Sequence, residues 1–178
     1  EWYQPGYDLD DLMTEVASLV VGLGLDSPVR ASYGDLFEQA LGVDPHRATP
    51  GSLVELVSAQ LPDVSVPALL GVSPRADRNT CLDLLFTRFV EPGLETVLVY
   101  DYPASAACLA EIATSEGISV ARRFELYAGG MELANGYLEL RDAAELRGRF
   151  EADAEERRVA GKVAVAADER LLAALEAG

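Results

Sequence analysis

What this sequence has little of narrows it first. It carries one histidine, His46, and two cysteines, Cys81 and Cys108. The cysteines form no CxxC pair, so a zinc site has almost no ligands to draw on. A Ser-His-Asp or Cys-His device would have to be built on His46, in the turn-like Asp44-Pro45-His46, with no nucleophile motif beside it. Basic residues are also scarce. Against 30 acids there are 14 Lys and Arg, a formal net charge of -16. Such a chain repels a phosphate backbone, which disfavours bulk nucleic-acid binding. A cationic ligand, a metal-nucleotide complex or a basic protein partner suits it better, unless the acidity serves solubility alone. There is no apolar run long enough to span a membrane and no recognisable signal peptide, so the expectation is no membrane partner and a cytoplasmic location. The chain opens at Glu1 without a methionine and is expected to be a piece of a longer protein.

What is present is enough for a core: hydrophobic residues make up 49% of 178, which places the chain among folded globular domains. Glu1-Trp2-Tyr3 reads as the end of a strand, broken by Gln4-Pro5-Gly6. Asp8 or Asp10 caps a helix with Leu12, Val16, Leu19, Val20 and Leu23 at helical period. Ser32 caps a short helix that closes at Gly42, and Thr49-Pro50 starts another with Leu53, Leu56, Val57 and Leu61 on its apolar face. From Pro62 to Pro74 the pattern is weak and reads as a connector with room for one short helix. Asp77 opens a helix striped by Leu82, Leu85, Phe86 and Phe89, which stops at Glu91-Pro92-Gly93. Thr96 to Tyr100 is a buried strand ended by Asp101. Ala104 to Ala113 reads as loop and one or two helical turns. Asp142 caps a charged helix to about residue 160, and Asp168 caps a last one. This is an α+β pattern with an antiparallel sheet flanked by helices and no regular βαβ unit.

Chemistry gathers on the segment from Phe124 to Leu140. Two apolar runs, Val120 to Tyr127 and Met131 to Leu140, flank Gly129-Gly130, which reads as an antiparallel hairpin. Glu125, Glu132 and Glu139 recur in it, although strand interiors disfavour Glu. Either the three face water or they face a cation. Pairing around the turn brings Glu125 and Glu132 within about one diagonal step. Hard carboxylate oxygens suit Mg²⁺, which takes one or two carboxylates plus substrate phosphates. Parity then sets a condition. Residues i and i+2 share a strand face, so Glu132 and Glu139 fall on opposite faces of an unbroken strand. A single pocket for all three requires a bulge or kink between Leu133 and Tyr137, and glycine inside a strand, here Gly136, often marks one.

Glu125-Leu126-Tyr127 followed by Glu132-Leu133-Ala134-Asn135-Gly136-Tyr137-Leu138-Glu139-Leu140 resembles the catalytic segment of lysine-type class II aminoacyl-tRNA synthetases. The start, Glu1-Trp2-Tyr3-Gln4-Pro5, resembles the tail of their motif 2, in the form found in the short paralogues that attach β-lysine to elongation factor P. Leu85-Phe86-Thr87, Val90-Glu91-Pro92 and Tyr102-Pro103-Ala104-Ser105 extend the likeness over essentially the whole chain, residues 1–178. The resemblance implies a partial class II catalytic domain, from the tail of motif 2 to just before motif 3. It implies ATP and Mg²⁺, with Glu125 and Glu132 as metal ligands and Glu132 and Leu133 beside ATP. Glu1, Tyr3, Asn135 and Glu139 would hold lysine or (R)-β-lysine, Glu139 facing an ammonium group. No catalytic nucleophile is implied. The partner implied is elongation factor P rather than tRNA, and the full-length protein would be a homodimer.

The motif 1 helix and strand, the motif 2 arginine and the motif 3 Gly-x-Asp-Arg segment are not in the sequence, so the resemblance implies a catalytically incomplete fragment. Gln4 stands where the family usually has Arg. Two other readings stay open, a catalytic piece of a lysyl-tRNA synthetase and a non-catalytic synthetase-like binding module.

Overall fold

The computed structural model describes residues 1–65, 70–115 and 117–177. They form two compact units. The first is built from Glu1–Ala48 and Asp83–Leu138, the second from Thr49–Leu82 and Glu139–Gly178.

The first unit holds a five-stranded sheet: β1 (Val29–Ser32), β2 (Thr96–Pro103), β3 (Ile112–Ser115), β4 (Ile118–Ala128) and β5 (Met131–Tyr137). The order is β1-β2-β4-β3, and β5 also pairs with β4. The β2–β4, β3–β4 and β4–β5 pairs are antiparallel. The β1–β2 pair is parallel, so the expected antiparallel sheet is in fact mixed. The antiparallel pairing and the glycine turn of the hairpin are as the sequence predicts. Gly129 and Gly130 both take positive φ, 59° and 71°, the demand of a two-residue turn that follows strand twist. Their amides donate to the carbonyls of Glu95 and Leu94 at 2.6 and 2.8 Å, fixing the hairpin tip.

One face of the sheet is covered by α1 (Leu9–Gly22). Asp8, not Asp10, caps it, in a reciprocal capping box with Asp11. Leu9, Met13, Val16 and Val20 recur at helical spacing and pack on Leu98, Phe124 and Leu126. The other face carries an aromatic layer. The Tyr33 ring, at the start of α2 (Tyr33–Leu41), stacks on Phe86 with centroids 4.7 Å apart, and lies 4.9 Å from Tyr102. Helix α2 begins at the Ser32 cap and ends at left-handed Gly42, as its sequence predicts.

The second unit contains α3 (Pro50–Gln60), α5 (Ala143–Val159) and α6 (Glu169–Ala177). Their caps are Thr49, Asp142 and Asp168, each accepting from a backbone amide of the first turn. Helix α4 (Pro74–Phe89) has residues in both units. In the second, Arg75 binds Glu156 at 2.8 Å and also Asp153, and Ser73 donates to Glu156. Arg147 grips Glu169 through two nitrogens at 2.7 and 2.8 Å, tying α5 to α6.

Several sequence expectations change. Residues 1–3 form no strand; Tyr3 is 67% exposed and has no apolar alternation to bury. The helix expected from Asp77 starts at Pro74, because Ser73 caps it through the Ala76 amide. The stretch from Ala104 holds a single 3-10 turn, Ala104–Ala106, and then strand β3 rather than helical turns. Strand β2 continues past Asp101 to Pro103, and β5 stops at Tyr137 instead of Leu140. Of the connector from Pro62 to Pro74, residues 66–69 lie outside those described.

Candidate functional site

Three consecutive outward positions of β4, Arg123, Glu125 and Tyr127, alternate with Phe124 and Leu126, which belong to the core under α1. Strand periodicity therefore turns Glu125 to the aromatic face. There it is 9% exposed, with both carboxylate oxygens hydrogen-bonded. The Tyr102 and Tyr127 hydroxyls each donate to its Oε2 at 2.6 Å. The Arg123 guanidinium donates to its Oε1 at 2.5 Å. Arg123 in turn donates to the Ala106 carbonyl at 3.1 Å and lies 4.8 Å above the Tyr102 ring. A buried carboxylate is costly unless it is paired and hydrogen-bonded, and this one is both.

Two breaks in register complete the cluster. The β2–β4 ladder slips between Tyr100 and Tyr102, at Asp101, whose φ is 54°. Across that break Tyr100 still packs toward α1, whereas the Tyr102 hydroxyl reaches Glu125. The β4–β5 ladder slips next. Leu126 pairs with Ala134, but Tyr127 pairs with Glu132, leaving Leu133 as the extra residue. Ala134 stays on the α1 side. Without the bulge Glu132 would join it there; with the bulge Glu132 turns to the Glu125 face, where Asn135 Nδ2 lies 3.4 Å from Glu132 Oε1. The irregularity that parity demanded thus exists, at the first residue of the predicted window. Residues 134–137 themselves are in a regular ladder.

Gly136 is therefore not the bulge residue. It faces Phe124 across the ladder, and a Cβ there would lie 2.5 Å from Phe124 Cζ. Glycine is needed so that the aromatic ring can lie on the backbone of β5.

The pocket over this cluster is lined by Tyr33, Phe86, Thr87, Tyr102, Ala106 and Tyr127, with four acids, Asp83, Glu91, Glu125 and Glu132, and one base, Arg123. Burial first, then the charge of Glu125, pushes the Tyr102 phenol far above its ordinary pKa. Burial and the hydrogen bond to Glu125 do the same to Tyr127. Both phenols consequently remain protonated donors. Much of Asp83 is accessible, yet desolvation of its carboxyl and repulsion from Glu125 raise its pKa, with Arg123 opposing.

A divalent cation with hard-oxygen preference suits Glu125 and Glu132. Among the described residues no three His, Cys, Asp or Glu gather as a ready cage for a metal ion. The donor set thus fits a metal that brings further oxygen ligands with it, as a phosphate-bound ion does. Leu133 is 47% exposed at the bulge. Glu1 and Tyr3 are exposed and bonded to each other, hydroxyl to carboxylate, at 2.6 Å; neither is among the residues lining the pocket. Glu139 is exposed, beyond the end of β5, and belongs to the second unit.

Sequence reasoning missed Arg123, Tyr102 and Asp83. The spacing Arg123-x-Glu125-x-Tyr127 was a readable signal, since alternate strand residues share a face. Tyr102 had no such signal, because its face is set by the break at Asp101.

A profile described as tRNA synthetases class II (D, K and N) matches residues 15–178. The chain is 47% identical over 182 residues to the Elongation factor P--(R)-beta-lysine ligase of Edwardsiella ictaluri (strain 93-146). It is 46% identical over 185 residues to the protein of that name in Sodalis glossinidius (strain morsitans), and 46% over 182 to that of Proteus mirabilis (strain HI4320). Each match covers 100% of this chain and 54% of the relative. The chain therefore spans about half the length of the curated relatives it matches.

Proposed function

The chain belongs to the class II tRNA synthetases of the D, K and N group, and from that premise we propose that the full-length protein is an ATP-dependent ligase that joins lysine or (R)-β-lysine to a lysine of elongation factor P. The observation that carries this reading is the Leu133 bulge, which turns Glu132 to the face of Glu125 in a pocket with one guanidinium.

In the proposed first step the amino-acid carboxylate attacks the α-phosphorus of ATP. A P–O bond forms, the bond to the β-phosphate bridge breaks, and pyrophosphate leaves. In the second step the ε-amine of the acceptor lysine attacks the carbonyl carbon of the adenylate. An amide forms, AMP leaves, and the amine gives up a proton. No side chain forms a covalent bond to substrate. Glu125 and Glu132 would hold Mg²⁺, which when bound offsets charge on the departing pyrophosphate. Leu133 would lie beside the nucleotide. Glu1, Tyr3, Asn135 and Glu139 would hold the amino acid, with Glu139 facing its ammonium group, since a sequestered cation needs a fixed anion. The work left to these residues is positioning and electrostatic stabilisation. The homodimer and the exclusion of tRNA belong to the same reading.

The names of the relatives support elongation factor P as acceptor, and the net charge of -16 fits poorly with a nucleic-acid partner. Acylation assays of the full-length protein with elongation factor P and with tRNA(Lys) decide the matter. Transfer to elongation factor P is expected. Charging of tRNA alone would replace this reading with a lysyl-tRNA synthetase, and ligand binding without pyrophosphate exchange would replace it with a binding module.

A further inference from the structure

We infer that Arg123 makes the Glu125–Glu132 pocket selective for a metal-nucleotide complex over a bare metal ion, by occupying Glu125 until a phosphate takes over its guanidinium. The inference rests on the metal-nucleotide reading above and adds a role to a residue outside it.

Glu125 has no idle oxygen. Oε1 carries Arg123, and Oε2 carries both tyrosine hydroxyls. A bare divalent ion seeking Glu125 must compete with a guanidinium held on three sides, by the carboxylate, the Ala106 carbonyl and the Tyr102 ring. Winning that contest would leave a mostly buried guanidinium, its side chain 17% exposed, facing a dication. Like charges so placed repel strongly. A metal-nucleotide complex removes the conflict. It brings the cation for the carboxylates and, in the same ligand, phosphate oxygens that match the planar fork of an arginine. Two carboxylates leave coordination positions on a hard divalent ion that phosphate oxygens can fill. Among the described residues lining the pocket, Asp83, Glu91, Glu125 and Glu132 are acids and Arg123 is the one base, so of these side chains Arg123 is the one that can make this exchange.

The test uses the full-length protein with Mn²⁺ as probe, protein-bound Mn²⁺ being separated by equilibrium dialysis from both the free ion and the Mn²⁺-ATP complex in solution, with and without ATP and without amino acid. In the wild type, ATP is expected to raise Mn²⁺ affinity at least about tenfold, the scale of one charge-assisted hydrogen bond. Arg123→Gln should bind Mn²⁺ alone more tightly and Mn²⁺ with ATP more weakly, each by roughly fivefold to tenfold. Arg123→Lys, which keeps the charge but loses the fork, should fall between. Unchanged affinities in folded Arg123→Gln, checked by circular dichroism, overturn the inference. If that variant does not fold, the wild type decides, because equal Mn²⁺ affinity with and without ATP also overturns it. Glu132→Gln separates the two claims. Mn²⁺-ATP binding that ignores Glu132→Gln refutes the location of the metal-nucleotide site, whatever Arg123 does.

Discussion

Removing the two hydroxyls that hold Glu125 tests the site without any ligand. Tyr102→Phe and Tyr127→Phe each delete one 2.6 Å donor to the same oxygen. Neither opens a cavity, since each ring keeps its place; Phe86 remains 6.5 Å from ring 102 and 6.1 Å from ring 127. A net hydrogen bond to a charged group contributes about 1.5–3 kcal/mol. In either single variant the other hydroxyl still serves Oε2, so the expected loss is near the lower end, about 1.5 kcal/mol. In the double variant Oε2 keeps neither donor while its carboxylate stays 9% exposed. The loss should then exceed the sum of the singles by about 1–2 kcal/mol, because the two residues share one partner. Urea unfolding of the four proteins, read as midpoint and slope, measures the cycle. The coupling should vanish in a Glu125→Gln background, where no charge is left to share. Single losses under about 0.5 kcal/mol, or strict additivity within about 0.3 kcal/mol, would refute the argument that Glu125 depends on both phenols.

Other expectations follow, the kinetic ones from the proposed function and the stability ones from the geometry. Glu132→Gln in the full-length protein should raise the KM for ATP in pyrophosphate exchange about tenfold with little change for the amino acid, and Glu139→Gln should do the reverse; unchanged kinetics in either variant count against that residue's role. Gly136→Ala places a methyl 2.5 Å from Phe124 Cζ and should cost about 1–3 kcal/mol, less when Phe124 is also Leu; an equal cost in both backgrounds removes the ring as the reason. In the second unit, burial raises the Glu156 carboxyl, but hydrogen bonds from Arg75 and Ser73 outweigh it and hold the pKa below its ordinary 4.5. A lowered folded value means the pair stabilises above the unfolded pKa and loses that contribution as pH falls through the folded one. Because Arg75 is partly exposed, Glu156→Gln should cost only about 1 kcal/mol at neutral pH. The gap to wild type should close as pH drops below 4.5; a gap constant down to strong acid would contradict it.

The helices were legible because their signals are local. Asp8, Ser32, Thr49, Asp142 and Asp168 each cap the helix that follows them. Strands β1 and β3 were not, because four-residue segments carry no clear period and are held by partners distant in sequence: Val29 pairs with Val97. Glu125 and Glu132 were legible as a pair. Parity asked for an irregular strand if Glu139 is to share their pocket; the strand is irregular at Leu133, but Glu139 is not among the residues lining that pocket. Within the window from Leu133 to Tyr137 the glycine points to Gly136, since glycine is a usual bulge residue, but the bulge lies at Leu133 and that glycine makes room for the Phe124 ring. Asp101 read as the end of a strand because nothing in its sequence announces a left-handed residue inside one.

The Leu133 bulge means that this hairpin encodes its site as a count of residues as well as a set of side chains. Leu133 supplies a length of backbone, so many substitutions at that position leave Glu132 where it is. Deleting it keeps every acidic side chain in the sequence and turns Glu132 toward the apolar face under α1. Among chains built on this hairpin, a one-residue gap next to an intact Glu132 is therefore a surer mark that Glu132 has left the Glu125 face than a mismatch at 133.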